Sequence, residues 1–363
     1  MKDQKGAIHL VPVFIFIALL LVGGFYLVKA RQKAPTTSSE KVSSEKASSG
    51  SGSCDENKPL FTAPFTELDK IDALGALGGV VGGSPGRSYI GVKKGMEVAV
   101  YNPGEAILEI IVYARRGGPG TAGEYGLYFK TECGVTYLLD HIQSVSDEIR
   151  ALSPQEPADS SRTDLGTRPN KTIKAGQLVG RTKGTSLAGT FDFLVEDSTK
   201  KAFHINEKRW DWAQAVDSVC PYDLYTEELK AKHYALIGEK TESSFMKAES
   251  CGGPSQDVAG TASGGWFQGD STAAKGKWLA IGKQFDRAEL GVRNSGDFTF
   301  SLKDYSPAVL PDKLTPGNKV CYQGYSSNWA FINLLSETQL SLATGSGKCP
   351  SSFPSSQAEL WER

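Results

Sequence analysis

The sequence predicts a mainly β protein made of a β-sandwich or barrel followed by a second, smaller all-β barrel or sandwich, with one transmembrane helix before them. Glycine is abundant, at 40 of 363 residues, which is typical of chains that turn often between short strands. After residue 60, β-branched and aromatic runs alternate with Gly, Pro and Asn turn signals. Before them stands one long apolar run.

This apolar run extends from Ala7 to Val28 and is interrupted only by His9, Pro12 and a Gly pair. As a helix rising ~1.5 Å per residue it would reach roughly 33 Å, about the thickness of the hydrocarbon core of a bilayer. It exceeds a usual signal-peptide core, and no clear cleavage site follows it. Residues 1–30 are therefore predicted to be an uncleaved membrane anchor.

The orientation of the anchor follows from two competing signals. Lys2 and Lys5 precede the span and Lys29, Arg31 and Lys33 follow it, which slightly favours a cytoplasmic C-terminal side. The chain also has six cysteines, an even number that is compatible with disulfides and an oxidising exterior. Long domains cross the membrane largely regardless of flanking charge, so we expect a single-pass protein whose C-terminal domains are extracytoplasmic.

Composition divides the rest of the chain. The net charge of −1 gives no broad attraction to nucleic acid, and none is expected as a partner. The predicted parts are a disordered Ser/Lys-rich linker at 31–59, a first β domain with a closing helix at 60–238, a second linker at 239–250, a C-terminal all-β domain at 251–350 and a tail at 351–363.

Individual elements follow from apolar alternation and turn residues. In the first domain the predicted strands are 97–101, 106–113, 125–130, 135–142, 172–182 and 189–196. Helical spacing predicts helices at 144–152 and 222–237, the second ended by Gly238. In the second domain the predicted strands are 265–269, 277–282, 297–302, 319–322, 330–335 and 339–342.

The cysteines also constrain how the two halves are connected. Three precede the second linker and three follow it, at positions 54, 133 and 220 and at 251, 321 and 349. Three is odd, so if all six are bridged, at least one disulfide joins the halves. The connectivity stays open, because the sequence does not choose among the possible pairings.

Residues 85–197 carry a series of local motifs in the order of a known family. The segments are KGMEVA at 94–99 with NPGEA at 102–106, VTYLLDH at 135–141, IKAGQLVG at 173–180 and GTFDFLV at 189–195. This part of the chain resembles the lysostaphin or LytM-type zinc metallopeptidases. The resemblance implies the duplicated-hybrid-motif β fold for the first domain.

The zinc-binding residues of that family are not retained. Its enzymes hold zinc with the His and Asp of an H-x-x-x-D motif and the second His of H-x-H. The first motif falls near 84–88, which contains neither residue type, and Thr190 and Asp192 occupy the histidine positions of the second. Only His141 matches, whereas catalytic zinc needs three protein ligands. The resemblance thus implies a degenerate peptidase domain with no cofactor.

Several residues remain candidates for a cleft in this domain. They are His141, Asp192, Asp140 and His204, of which only His141 and Asp192 are candidate metal ligands, both weak. His141 and Asp192 either bind a polar ligand through charge-assisted hydrogen bonds or form a buried, mutually satisfied pair, and the second reading is expected. The tryptophans are sugar-stacking platforms or, as we expect, core residues; they are Trp210, Trp212, Trp266, Trp278 and Trp329.

These features favour a non-enzymatic envelope protein. The expected function is binding of peptidoglycan or another envelope polymer, or regulation of a wall hydrolase, as degenerate domains of the resembled family do. One alternative is an active metal-dependent peptidoglycan endopeptidase with a reshaped site. A second alternative is a structural or adhesive surface protein, because the C-terminal domain shows no chemistry of its own.

Overall fold

A computed structural model describes residues 54–55, 58–79, 84–117, 120–185, 189–241, 244–284, 287–293, 299–306, 309–324 and 327–363. The predicted anchor from Ala7 to Val28 and most of the first predicted linker lie outside these residues. Among the residues described, no helix combines the length and apolarity needed to cross a membrane.

The first part of the fold consists of short antiparallel strands with a few short helices. Its strands are β1 Ile71–Leu74, β2 Arg87–Val92, β3 Val98–Tyr101, β4 Ala106–Ala114, β5 Glu124–Lys130, β6 Thr136–Ile142, β7 Ser144–Val145, β8 Lys171–Ile173, β9 Leu178–Thr182 and β10 Thr190–Glu196. Its helices are α1 Asp147–Arg150, α2 Ala213–Val216 and α3 Glu227–Tyr234, with 3₁₀ turns at Leu68–Lys70, Thr163–Leu165, Glu207–Arg209 and Pro221–Leu224.

These strands form a seven-stranded sheet, in the order β1-β2-β10-β6-β5-β4-β8, and a small sheet, in the order β3-β9-β7. Alternation decides which side chains enter the core. On β10, Phe191, Phe193 and Val195 are fully buried in the main apolar cluster. Because side chains alternate along a strand, Asp192 and its i+2 neighbours lie on the opposite face of the sheet.

The second part of the fold is a closed eight-stranded barrel. It follows a hairpin formed by β11 Gly238–Lys240 and β12 Phe245–Lys247. Its strands are β13 Gly264–Phe267, β14 Trp278–Gln284, β15 Arg287–Arg293, β16 Thr299–Ser306, β17 Lys319–Gly324, β18 Asn328–Leu334, β19 Gln339–Ser346 and β20 Glu359–Glu362, with 3₁₀ turns at Pro311–Lys313 and Ser355–Gln357. Phe267 of β13 pairs with Glu362 of β20 to close it.

Side chains pack one apolar cluster in the barrel. Trp266, Leu279, Tyr322, Ile332 and Trp361 belong to it and are fully buried. A barrel of eight strands has an interior just wide enough for side chains to fill. The prediction of a mainly β chain with a second, barrel-like β part is confirmed.

Several predicted boundaries differ from the structure. Residues 172–182 form two strands in different sheets, β8 and β9, because the intervening turn contains Gly176 in a positive-φ conformation. The predicted helix 144–152 is helical only at Asp147–Arg150, since Ser144–Val145 pairs with β9. The predicted helix 222–237 divides into a 3₁₀ turn and α3.

Two predicted connecting segments contain strands. The second linker, 239–250, includes most of the β11–β12 hairpin, because its polar residues satisfy their backbone groups by pairing with each other. The predicted tail, 351–363, includes β20, which pairs with β19 and buries Trp361. The C-terminal β part therefore continues to the end of the chain rather than to residue 350.

The disulfides confirm the conditional expectation that one bridge joins the two halves. All six cysteines are paired, as Cys54–Cys133, Cys220–Cys251 and Cys321–Cys349. Cys220–Cys251 joins the first β part to the segment that leads into the barrel. Cys54 lies in the predicted first linker, so the end of that linker is held on the first β part.

Packing also joins the two parts. Trp210, which precedes α2, contacts Phe267 and Trp278 of the barrel at ring-centroid distances of 5.5 and 5.1 Å. Gly265 of β13 permits this approach, since a Cβ at that position would lie 2.2 Å from Cζ2 of Trp210. Four of the five tryptophans considered as sugar platforms, at 210, 266, 278 and 329, are at most 9% exposed and pack in apolar clusters.

One histidine is enclosed by the core of the first part. His233 of α3 is fully buried, with ring centroids 5.5 Å from Phe65, 5.2 Å from Tyr222 and 4.3 Å from Tyr225. Burial among these rings lowers the pKa of His233 from 6.5 to about 4, and a backbone contact to Leu229 offsets only part of this effect. The folded protein therefore keeps this ring neutral.

Replacing Gly265 tests the contact between the parts. We expect Gly265→Ala to lower the free energy of unfolding by about 1–3 kcal/mol, because the added methyl group would overlap the indole ring of Trp210 and displace it. Chemical denaturation followed by tryptophan fluorescence measures this change. Gly253→Ala is the matched control, since its Cβ would meet no atom within 4 Å. Equal stability of the two variants would contradict the contact.

Replacing His233 tests the pH dependence. The folded pKa lies below the unfolded value, so His233 disfavours the folded state increasingly as pH falls from 6.5 to about 4. We expect His233→Phe to remove this loss and to gain ~3 kcal/mol over the wild type near pH 4, with little difference at neutral pH. Denaturation curves over this range measure the difference. A difference in the free energy of unfolding between the two proteins that stays constant from pH 6.5 to about 4 would contradict the lowered pKa of His233.

Candidate functional site

The central strands of the large sheet bring a group of charged residues together on the face opposite the core. The pairing of β10 with its two neighbours places Asp192 opposite Asp140 of β6 and opposite Tyr89 of β2. Arg87 is two residues before Tyr89 and therefore lies on the same face. Asp140 and Asp192 are almost completely buried, with side chains 1% and 4% exposed.

Arg87 connects the two aspartates. Its Nη1 donates to Oδ2 of Asp140 at 2.7 Å and to Oδ2 of Asp192 at 2.8 Å. Arg116, in the loop after β4, donates from Nη1 to Asp140 Oδ2 at 2.8 Å and from Nη2 to the other carboxylate oxygen. Gly126 of β5 leaves room for this pair, since a Cβ there would lie 2.9 Å from Asp140 Oδ1.

His141 completes the cluster from an unusual backbone conformation. Its φ is +62°, a left-handed value that residues other than glycine rarely adopt. Its Nδ1 is 2.6 Å from Oε2 of Glu124, and its Nε2 is 3.6 Å from Oδ2 of Asp192. Thr182 Oγ1 donates to the His141 carbonyl at 2.8 Å and helps to hold this conformation of the strand.

The two buried aspartates respond differently to these neighbours. Burial raises the pKa of Asp140, but the charges of Arg116 and Arg87 outweigh it and hold the pKa below its usual value. Burial dominates at Asp192 and raises its pKa, although Arg87 and His141 act in the other direction. Two arginines are thus enough to keep Asp140 ionised, whereas Asp192 has a greater tendency to take up a proton.

The histidine pKa is set by the carboxylates around it. Burial lowers the pKa of His141, but the hydrogen bond that its ring donates to Glu124 and the charges of Asp140 and Asp192 outweigh burial and raise it. The cluster therefore holds two arginines and a histidine that readily protonates against three acidic groups, Asp140, Asp192 and Glu124. With His141 protonated, the positive and negative charges balance.

A catalytic zinc ion does not fit this arrangement. One ligand atom from each of Asp140, His141 and Asp192 can be chosen within 4.8 Å of one another, as metal binding would require. However, Nη1 of Arg87 already lies between the two carboxylates, in contact with the oxygens that would face the metal. A zinc ion with an open position for water cannot share that space with a guanidinium group.

The structure brings together three of the four candidates from the sequence, His141, Asp192 and Asp140. The fourth, His204, belongs to the junction with the barrel: it stacks on Trp210 at 4.1 Å, and its Nδ1 is 3.7 Å from Oδ2 of Asp257. Its Nε2 is 2.8 Å from the Ala215 carbonyl oxygen. His204 therefore has a structural position outside the cluster.

Sequence reasoning missed Arg87, Arg116 and Glu124. Arg87 could have been found, because it lies within 84–88, where the resembled family has its first zinc-binding motif, and a cation there is a natural partner for the acids opposite. Arg116 and Glu124 carry no such signal. They come from the loop after β4 and the start of β5, and only the folded register brings them to Asp140 and His141.

Arg116 and Arg162 provide a matched test of the cluster, because each binds both oxygens of one aspartate. The Arg116–Asp140 pair is buried, whereas the Arg162–Asp164 pair is exposed. We expect Arg116→Met to lower the free energy of unfolding by about 2–4 kcal/mol, since it removes half of the charge that keeps Asp140 ionised.

Arg162→Met is the control and should leave stability essentially unchanged. Urea denaturation of the two variants beside the wild type measures the difference. If both substitutions cost the same, the buried cluster does not contribute to stability as described.

Comparison with known proteins adds no relative from which the chemistry of the cluster could be transferred. No protein-family model, curated protein sequence or solved structure matches this chain. The function of the cluster follows from its own residues.

Proposed function

We propose that this chain is a single-pass, membrane-anchored extracytoplasmic protein whose peptidase-like domain, a degenerate relative of the lysostaphin-type enzymes, binds a cell-wall or other envelope polymer or regulates a wall hydrolase. The observation that carries the proposal is the position of Arg87 between the carboxylates of Asp140 and Asp192. We take this guanidinium group to stand where an enzyme of the resembled family binds its metal.

The groups that could perform acid–base chemistry are held in ion pairs. A general base must reach a proton on the substrate or on a water molecule. The carboxylates of Asp140 and Asp192 accept hydrogen bonds from arginine, and Nδ1 of His141 is hydrogen-bonded to Glu124. These contacts favour recognition over hydrolysis.

The rim of the cluster supports binding. The side chains of Arg87, Arg116, Glu124 and His141 are each 17–19% exposed, so they reach the surface while their bases are fixed. Tyr128 is half-buried in β5, close enough for Asp140 and Arg87 to act on its pKa, which burial raises. Fixed charged donors and acceptors beside an aromatic ring suit a polymer rich in amide, hydroxyl and carboxylate groups.

The sequence supplies the envelope context for this proposal. The apolar run from Ala7 to Val28 has the length of a membrane span, and the Ser/Lys-rich segment after it would let the folded part reach the wall. Paired cysteines agree with an oxidising exterior.

Sedimentation with purified peptidoglycan sacculi tests the proposal. The full chain, in detergent, is mixed with sacculi, and both the protein that sediments and the soluble fragments released are measured. We expect retention of the protein without release of muropeptides, and a reduced retention of Tyr128→Ala. Tyr234→Ala is the control, because Tyr234 is also half-buried but lies on α3 and bonds to Asp223.

Each other outcome supports a different function. Release of muropeptides would indicate an active hydrolase. Absence of both retention and release would leave a structural or adhesive role. Equal loss in the two tyrosine variants would place the binding surface elsewhere on the chain.

A further inference from the structure

We infer that Arg87 is a built-in cation that takes the place of a divalent metal ion between Asp140, His141 and Asp192, and that the chain binds zinc at these three residues once the guanidinium is removed. This goes beyond the proposed binding function and does not depend on it. The inference rests on the distances around Arg87, on the way His141 is held, and on the charge balance of the cluster.

The distances around Arg87 are close to those of a metal site. Ligand atoms about 2.1 Å from a tetrahedral zinc ion lie roughly 3.4 Å from one another. His141 Nε2 and Asp192 Oδ2 are 3.6 Å apart, and the ligand atoms of all three residues lie within 4.8 Å of one another. The carboxylate oxygens are 2.7 and 2.8 Å from Arg87 Nη1, so a smaller cation in its place would draw them in by less than an ångström.

His141 is held as metal-binding histidines usually are. One ring nitrogen of such a histidine contacts a carboxylate, which fixes the ring and directs the other nitrogen to the metal. Here Glu124 contacts Nδ1 at 2.6 Å, and Nε2 faces Asp192. This arrangement is independent of Arg87, because Arg87 makes no contact with His141 or Glu124 among the hydrogen bonds and ion pairs of the described residues.

The charge balance explains why a cation is needed at this point. Arg116 binds both oxygens of Asp140 from one side, but Asp192 receives its arginine hydrogen bond from Arg87. Without Arg87, the carboxylate of Asp192 stays buried beside that of Asp140. Like charges in a buried site raise the cost of ionising both, and a divalent cation removes that cost.

The test uses the full chain with Arg87→Gln, which keeps a polar side chain of moderate size and removes the charge. Proteins are dialysed against zinc chloride and then against zinc-free buffer, and bound zinc is measured by elemental mass spectrometry. Thermal unfolding is followed with and without zinc. We expect the wild type to retain no zinc and to show no shift, and the variant to retain about one zinc per chain and to unfold at a higher temperature with zinc than without.

The control is the double variant Arg87→Gln with Asp192→Asn, which lacks one ligand and should show no zinc-dependent shift. The double variant lacks the positive charge of Arg87 and also the negative charge of Asp192, so it has no unpaired buried carboxylate at position 192. Without zinc it should therefore unfold at a higher temperature than Arg87→Gln. This comparison holds even where Arg87→Gln needs zinc in order to refold.

Each of the following results would overturn the inference. They are stoichiometric zinc in the wild type, equal zinc retention by the single and double variants, and an Arg87→Gln chain that is no less stable than the double variant and does not respond to zinc. A chain with Arg87→Gln that stays unfolded both with and without zinc also contradicts it.

Discussion

The hydrogen bonds from Arg87 to Asp140 and Asp192 are the interaction on which the candidate site depends. The register of the central strands places the two aspartates opposite each other, on a face where both are almost fully buried. Two ionised carboxylates in such a position repel each other and lose the stabilisation that water gives them. A cation must lie between them, and a guanidinium with donors at fixed angles satisfies both at once.

The need for a cation between the two aspartates can be met by an arginine or by a metal ion, and the two differ in their chemistry. Arginine keeps its charge under all ordinary conditions. A bound metal ion can activate water, but it is released when its ligands become protonated. Arg87 therefore supplies a positive charge between Asp140 and Asp192 that stays in place over the ordinary pH range. The groups of the cluster whose protonation can change most easily are His141 and Asp192, because the pKa values of both are raised.

The sequence shows most of the strands but only half of the site. Alternation locates strands such as β4, β5 and β6, and motif order brings His141, Asp140 and Asp192 to attention. It misses seven strands, whose short, Gly-interrupted or charged sequences pair only because neighbouring strands supply the partners: β1, β2, β7, β11, β12, β15 and β20. Long arginine side chains reach across strands, so their partners depend on register, which a single sequence does not reveal.

The junction between the two β parts is held by several kinds of contact at once. Asp257 accepts hydrogen bonds from the backbone of Ile205 and Gly265, one on each side of the junction, and Cys220–Cys251 bridges it covalently. Trp210 fills the space that Gly265 leaves open. Because polar, covalent and packing contacts all cross this boundary, rotation of the barrel against the sheet would break several of them together. If the proposed polymer binds at the face of the sheet that carries Arg87, these contacts would hold it in a fixed position relative to the barrel.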